Sequence, residues 1–564
     1  MKTMPTLPIV LKSMVLAILE TISIQSSSLM AAPAELILKN ANIVTVDTNL
    51  PQAQALAISG ERFVFVGSNS GLAEITGTTT RVLDLTGRTV VPGFIDAHAH
   101  PGPEYTQDSP WASVDCRPEK VRTIDQLVSA LRRKAEQTPS GQWVNGSRYQ
   151  ETKLGRHPTR WDLDRASTNH PILISHSSGH QSVANSFALQ LAKITAATPD
   201  PPGGKFVRDH RGDLTGLLQE RAAGIVRAAG PARRTPPEAE TMAAYRAGFE
   251  RYLRRGVTSV HVAGTSANGA DMLARARMPD HPLRLYIMLS DGSRDEAVRR
   301  RTATGPAEHG VRYGAIKMFH GNSLSGQTCW LSKPYADRPD YFGVPPARSQ
   351  EFLNQLVLEV HRAGLQACIH SNGDREIEMV LNAFESALEK MPRANHRHRI
   401  EHCSVVTPEL LQRIKRLGIV VVPHSYIWEH GDKMEAYGEG RWDWMHPARS
   451  LLDLGIPLAG HSDDPVSVSD PLLRIQDMVT RTSAEGKVYG ARQRISVEEA
   501  LRAWTLGGAY ASFEETDKGS ITVGKLADFV VLSDDPTKVM PDRIKDIAVE
   551  ETYVSGRRAV GSGR

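Results

Sequence analysis

Residues 92–100, Pro92-Gly93-Phe94-Ile95-Asp96-Ala97-His98-Ala99-His100, form a short apolar run that ends in two histidines spaced two apart. On an extended strand such residues share a face, so both imidazoles can point at one place. Neutral imidazole is the commonest side-chain ligand for zinc-like ions. Alone, the pair could equally be two unrelated polar residues at a strand end, and its neighbours in the chain decide between the two.

Seven more short apolar runs follow, at 257–262, 283–289, 315–319, 366–370, 399–402, 419–423 and 456–460. Amphipathic stretches fall between them with clear punctuation. Residues 238–255 stop at Gly256 and 351–363 at Gly364. Thr407-Pro408-Glu409 supplies an N-cap with proline at the first helical position, for a helix ending at Gly418, and Ser496-Val497-Glu498-Glu499 is a capping box. Strands alternating with helices imply parallel βαβ units, and eight such strands close a (β/α)8 TIM barrel over residues 92–508. Residues 101–235 interrupt the alternation after the first strand. They contain Trp143, an apolar run at 171–175 and turn-rich loops at 198–204 and 211–213, and are expected to form an inserted subdomain. At the chain ends, 35–91 and 509–564 share a texture of short alternating runs. Each half alone would expose an apolar face, so the two are expected to complete one β-sandwich domain.

Composition narrows the class of protein. The 564 residues are 40% hydrophobic and 23% charged, which excludes collagen-like and disordered chains. Lys and Arg number 67 against 63 acidic residues, a net charge of +4, which argues against a nucleic-acid partner. The cysteines, Cys116, Cys329, Cys368 and Cys403, form no CxxC pair and indicate neither a zinc knuckle nor a disulfide framework. Histidine, at 20 residues, is the conspicuous count. Lys2 and Lys12, the apolar run 14–19 and Ala32-Pro33-Ala34 read as a signal peptide over 1–34, although Glu20 ends the run early and Met14 or Met30 could be the start. The expected location is periplasmic or secreted if that signal is used, and cytoplasmic otherwise. No other stretch reaches the ~18 apolar residues of a membrane span.

Histidines recur at the strand ends. His370 closes the fifth run, His402 the sixth, and Asp463 follows the eighth, all on the rim where a barrel places its active site. Core packing does not require four histidines and an aspartate on one rim. In 314–319 Lys317 faces opposite to Ile316 and Met318, into the barrel. An amine there is either paired with a carboxylate or converted by CO2 to a carbamate, and the sequence leaves both open.

The chain resembles the amidohydrolase superfamily, specifically amidohydrolase family 3, which includes N-substituted formamide deformylase-like enzymes. The resemblance rests on residues 92–100, on Lys317 with Gly321-Asn322-Ser323-Leu324, and on His370-Ser371-Asn372-Gly373-Asp374-Arg375. It continues through Arg399-Ile400-Glu401-His402, Ser462-Asp463-Asp464-Pro465-Val466 and Gly524-Lys525-Leu526-Ala527-Asp528. It implies two divalent metal ions, zinc being expected. His98, His100 and Asp463 would hold one, His370 and His402 the other, and a carbamate on Lys317 would bridge them. Paired cations lower the pKa of water far below ~15.7, and Asp463 would then act as catalytic proton shuttle. The implied function is hydrolysis of a non-peptide C–N bond in a small-molecule substrate, with homo-oligomer formation left open. Rivals are a lactone or ester hydrolase, a ring deaminase, and a non-catalytic metal-binding or regulatory protein; deaminase relatives tend to lack the bridging lysine. The chain departs from the family pattern at His320, His461 and Asp464, where Asp, a small residue and Ala are more usual. His180, His320 and His424 are the expected substrate contacts, with the loop Trp428-Glu429-His430 beside them. Arg375 and Glu401 are expected to orient ligands, and Cys368 and Cys403 to pack as free thiols.

Overall fold

The computed structural model describes residues 33–561 apart from 233, 278–279 and 301–309, so the expected signal peptide falls almost wholly outside the described residues. A parallel sheet of seven strands forms the centre: β1 (Phe94–Ala99), β2 (Val257–Thr265), β3 (Arg284–Ser290), β4 (Val311–Phe319), β5 (Gln366–Ser371), β6 (Arg399–His402) and β7 (Val420–Pro423), neighbours in chain order. The eighth run, 456–460, closes the ring by hydrogen bonds and isolated bridges instead of a full ladder. Ala459 donates to the Val421 carbonyl (3.1 Å) and Val421 to that of Pro457 (3.0 Å). On the other side Ala97 donates to Gly460 (3.1 Å) and Asp463 to His98 (3.0 Å). Pro457 has no N–H to give, which shortens the ladder at that point. The fold is a (β/α)8 TIM barrel.

Local chemistry explains the surrounding helices. The helix Pro408–Leu417 starts where the Thr407 side chain accepts from Leu410 N (3.3 Å), and it ends at Gly418 with φ 66°. Period-two alternation sends Ile316, Met318, Ile369 and Ile400 outward into one core with Val360, Leu381, Phe384 and Ile414 of the helices. Lys317 and Cys368 point the other way, into the barrel, and both are buried.

Two sheets at the barrel's side form the β-sandwich, and both chain ends contribute to it. Phe529–Leu532 pairs antiparallel with Thr89–Pro92. The facing four-stranded sheet comes from residues before 85 and adds Leu38, Leu56 and Phe63 to a shared core with Phe529 and Tyr553. The insertion is a mixed six-stranded sheet with separate apolar clusters, one around Leu131 and Ile174, the other around Trp143 and Phe206. Among the described residues no helix is long and apolar enough to cross a membrane.

Candidate metal centre

The strand ends gather the rim residues. His98 and His402 have ring centroids 4.7 Å apart, His402 and His370 4.6 Å, and His98 and His100 5.4 Å. Asp463 Oδ1 lies 3.3 Å from His98 Nε2 and 3.2 Å from His100 Nε2. Donor atoms of His98, His402 and Asp463 all fall within 4.8 Å of one another. The Lys317 amine, 4.2 Å above the Phe319 ring centroid, has no hydrogen-bond partner among the described residues. Burial pushes it down to about 8, against the pull of Glu401 and Asp463.

Backbone strain concentrates here. His402 (φ 70°), Cys403 (φ 48°) and Asp463 (φ 59°) all occupy the left-handed region, where a non-glycine residue costs of order 1–3 kcal/mol. Such conformations persist only where surrounding contacts hold them.

The charge pattern suits cation binding. Burial keeps the His100, His370 and His402 imidazoles neutral by lowering their pKa values. Burial opposes ionisation of Asp463 too, but His402 and contacts from His100, His424 and His98 hold its carboxyl well below the usual range. His98 Nε2, His402 Nδ1 and Lys317 Nζ are buried polar atoms without a hydrogen-bond partner among the described residues. Neutral nitrogens beside an ionised carboxylate are a donor set that fits zinc-like ions.

A second layer orients these groups. His98 Nδ1 donates to Glu401 Oε2 at 2.5 Å, which leaves Nε2 with the lone pair facing Asp463. Arg399 holds Glu401 through Nε (2.7 Å) and Nη2 (2.8 Å), and its Nη2 also donates to the Ala97 carbonyl (2.7 Å). Burial would raise the Glu401 carboxyl, yet Arg399 and His98 bring it down to about 2. His370 Nε2 faces the Asn322 carbonyl at 3.1 Å, so Nδ1 is the nitrogen left for a ligand. That carbonyl is placed by Glu376, whose carboxylate accepts from the backbone N–H groups of Asn322 (3.0 Å), Trp330 (2.7 Å), Asn372 (3.1 Å) and Gly373 (2.9 Å). Asp96 anchors the loop before Asp463, accepting from Ser462 N (3.0 Å) and Ser469 Oγ (2.8 Å). Sequence reasoning missed Arg399, Glu376 and Asp96 as organisers. A glutamate three residues after Gly373, at a helix start, was the legible signal for Glu376.

The expected substrate contacts separate into three places. His180, from the insertion, stacks on His370 at 5.1 Å, with Nδ1 2.7 Å from Glu220. His424 Nε2 lies 3.7 Å from Asp463 Oδ2. His320 turns aside, with Nε2 3.4 Å from Met379 Sδ. Arg375 lies over the Trp330 ring at 4.9 Å. Cys368 and Cys403 are buried free thiols, and burial pushes Cys403 up to about 12. A cavity of about 430 Å³ is lined by His180, Glu220, Phe319, His320 and Arg348, and another of about 480 Å³ by Arg148, Arg251, His430 and Asp464. The 610 Å³ cavity between Trp111 and Tyr245 touches none of the rim residues.

Known proteins resemble this chain over most of its length. A family model described as the amidohydrolase family matches residues 81–560. N-substituted formamide deformylase of Arthrobacter pascens is 30% identical over 544 residues, covering 93% of this chain and 97% of its own length. The crystal structure of an uncharacterised metal-dependent hydrolase from Pyrococcus furiosus superposes with a TM-score of 0.66 at 26% identity, over 89% of this chain and all of that one. Its counterpart from Pyrococcus horikoshii gives 0.68 at 24% identity, over 90% and 99%.

Proposed function

The chain belongs to the amidohydrolase family and is a hydrolase acting on C–N bonds, and on that premise we propose that it is metal-dependent and opens a non-peptide, amide-type bond in a small molecule. The observation that carries the reading is the gathering of histidine imidazoles, one ionised aspartate and a buried lysine without a hydrogen-bond partner among the described residues at a single barrel mouth. In this reading His98, His100 and Asp463 would hold one cation, His370 and His402 would hold a second, and Lys317, as its carbamate, would serve both. Such cations, zinc being the natural choice, supply an acidified water and polarise the scissile carbonyl.

The protein groups have their own tasks. Asp463 is ionised and can accept a proton at Oδ2, then return it to the leaving nitrogen. Glu401 fixes the His98 tautomer, and Glu376 fixes the Asn322 carbonyl behind His370. His180 and His424 border the reacting region and are the proposed substrate contacts, with His320 further out on the cavity wall. Because the A. pascens relative is named a deformylase of N-substituted formamides, N-formyl amines head the substrate panel, followed by N-acyl-amino acids, cyclic ureides and lactones. The segment 1–34 is proposed as an export signal, which N-terminal sequencing of the mature protein checks.

The expected result is about two equivalents of zinc-like metal per chain. Asp463→Asn should lower kcat by about 10²–10⁴-fold in a folded protein. A metal-free protein from metal-replete expression, or an Asp463→Asn variant at full rate, sinks the proposal. Turnover confined to lactones would replace the amide reading.

A further inference from the structure

The strand ends hold two histidines that the proposed function does not use as ligands. His424 follows β7 and His461 lies in the closing segment, where a parallel bridge joins them. Their ring centroids are 4.5 Å apart, and that of His402 lies 5.7 Å from His424 and 5.1 Å from His461. One ring nitrogen from each of the three falls within 4.8 Å of the other two. The residues are 3%, 5% and 0% exposed for His402, His424 and His461. Both ring nitrogens of His424 and of His461, and Nδ1 of His402, have no hydrogen-bond partner among the described residues.

An imidazole always carries a lone pair or an N–H on each nitrogen, and burying these unpaired is unfavourable. Filling space alone would be served better by Leu or Phe. Asp463 Oδ2 is 3.7 Å from His424 Nε2, too long for a hydrogen bond. Tyr426 closes one side, its ring centroid 3.7 Å from that of His424. Three neutral nitrogen donors on three neighbouring strand ends remain, with a carboxylate oxygen next to them. A cation at about 2.0–2.1 Å from each nitrogen would set them roughly 3.4 Å apart, so modest ring rotation completes the cage.

We propose that His402, His424 and His461 form a cation site of their own for a zinc-like divalent ion, beside the positions built on His98, His100, His370 and Asp463. The cage stands on its own geometry. Its relation to His370 rests on the proposed function, in which His402 also serves the second cation. One lone pair takes one cation, so that cation has two alternative seats, one with His370 and one with His424 and His461.

Metal binding by the metal-free full-length chain tests this, using Zn²⁺ against a chromophoric chelator and Co²⁺ for its visible spectrum. His370→Asn should keep its second equivalent, and adding His461→Asn or His424→Asn should weaken that equivalent at least tenfold. Identical titrations of the single and double variants would overturn the site, as would loss of the second equivalent in His370→Asn alone. His424→Asn, one residue past β7, covers the case in which His461→Asn fails to fold. Independently, crystals of the unaltered chain soaked in Zn²⁺ at limiting and excess concentrations should show an anomalous peak between the three rings, and no peak there at any concentration counts against it. Failure of the proposed function itself would appear in other variants, His98→Asn and His100→Asn.

Discussion

Glu401 lies fully buried between the His98 imidazole and the Arg399 guanidinium, 2.5 Å from one and 2.7 Å from the other. Its charge does two things: it neutralises Arg399 and fixes which nitrogen of His98 faces the site. Glu401→Gln keeps the shape but leaves Arg399 as a buried charge with only neutral partners. Loss of one member of a buried pair costs about 3–5 kcal/mol, and loss of an outer ligand partner lowers metal affinity about 10–100-fold. Denaturant unfolding and chelator competition should show both effects; a variant changed in stability alone would separate Glu401 from ligand orientation. The spacing of His98 with His100 was legible because ligand chemistry at a strand end depends only on local alternation. Arg399 and Glu401 were readable as one face of β6, but the contact of Glu401 with His98 crosses 303 residues and was not.

Between elements, Glu376 ties the loop after β4 to the start of the helix Asp374–Lys390. Gly321 makes that contact sterically feasible. Its φ is 122°, and a Cβ there would meet Glu376 Oε2 at 2.3 Å. Gly321→Ala should therefore destabilise the protein by at least about 1–3 kcal/mol. The check is a lowered denaturant midpoint, and an unchanged one would show that the loop can move aside. The helix Pro408–Leu417 was legible to the residue, because Thr407, Pro408 and Gly418 act on their own backbone. The closing segment was not, because its partners Val421, Ala97 and His98 decide how much of it pairs.

Across the whole molecule, Glu151 joins the insertion to the loop after β7. It accepts from His176 Nε2 at 2.6 Å and pairs with the buried Lys433. Burial would raise its carboxyl, yet His176 and then Lys433 hold it well below its ordinary value. A carboxyl lowered in the folded state contributes stability above its unfolded pKa of roughly 4.3, and that contribution fades as pH falls. Glu151→Gln should thus have a lower melting temperature than the parent at pH 7, with a gap that holds down to about pH 5 and closes as pH falls below about 4. A constant gap would exclude linkage through this group. Removing residues 521–564 should prevent folding, because Phe529–Leu532 covers the edge of Thr89–Pro92 and Phe529 stacks on Tyr553 in the sandwich core. Circular dichroism and gel filtration of the truncated chain test this, and a folded monomer would contradict it.

The sequence by itself determined the barrel, its helix limits and the rim positions of His98, His100, Lys317, His370, His402 and Asp463. These follow from period-two and period-3.6 patterns and from turn chemistry, which act over a few residues. Only the tertiary structure decided that His180 reaches His370 from the insertion, that His320 turns towards Met379, and that His424 and His461 converge with His402. Those outcomes depend on how strand ends distant in the chain are brought round the closed barrel, and local pattern carries no record of that distance.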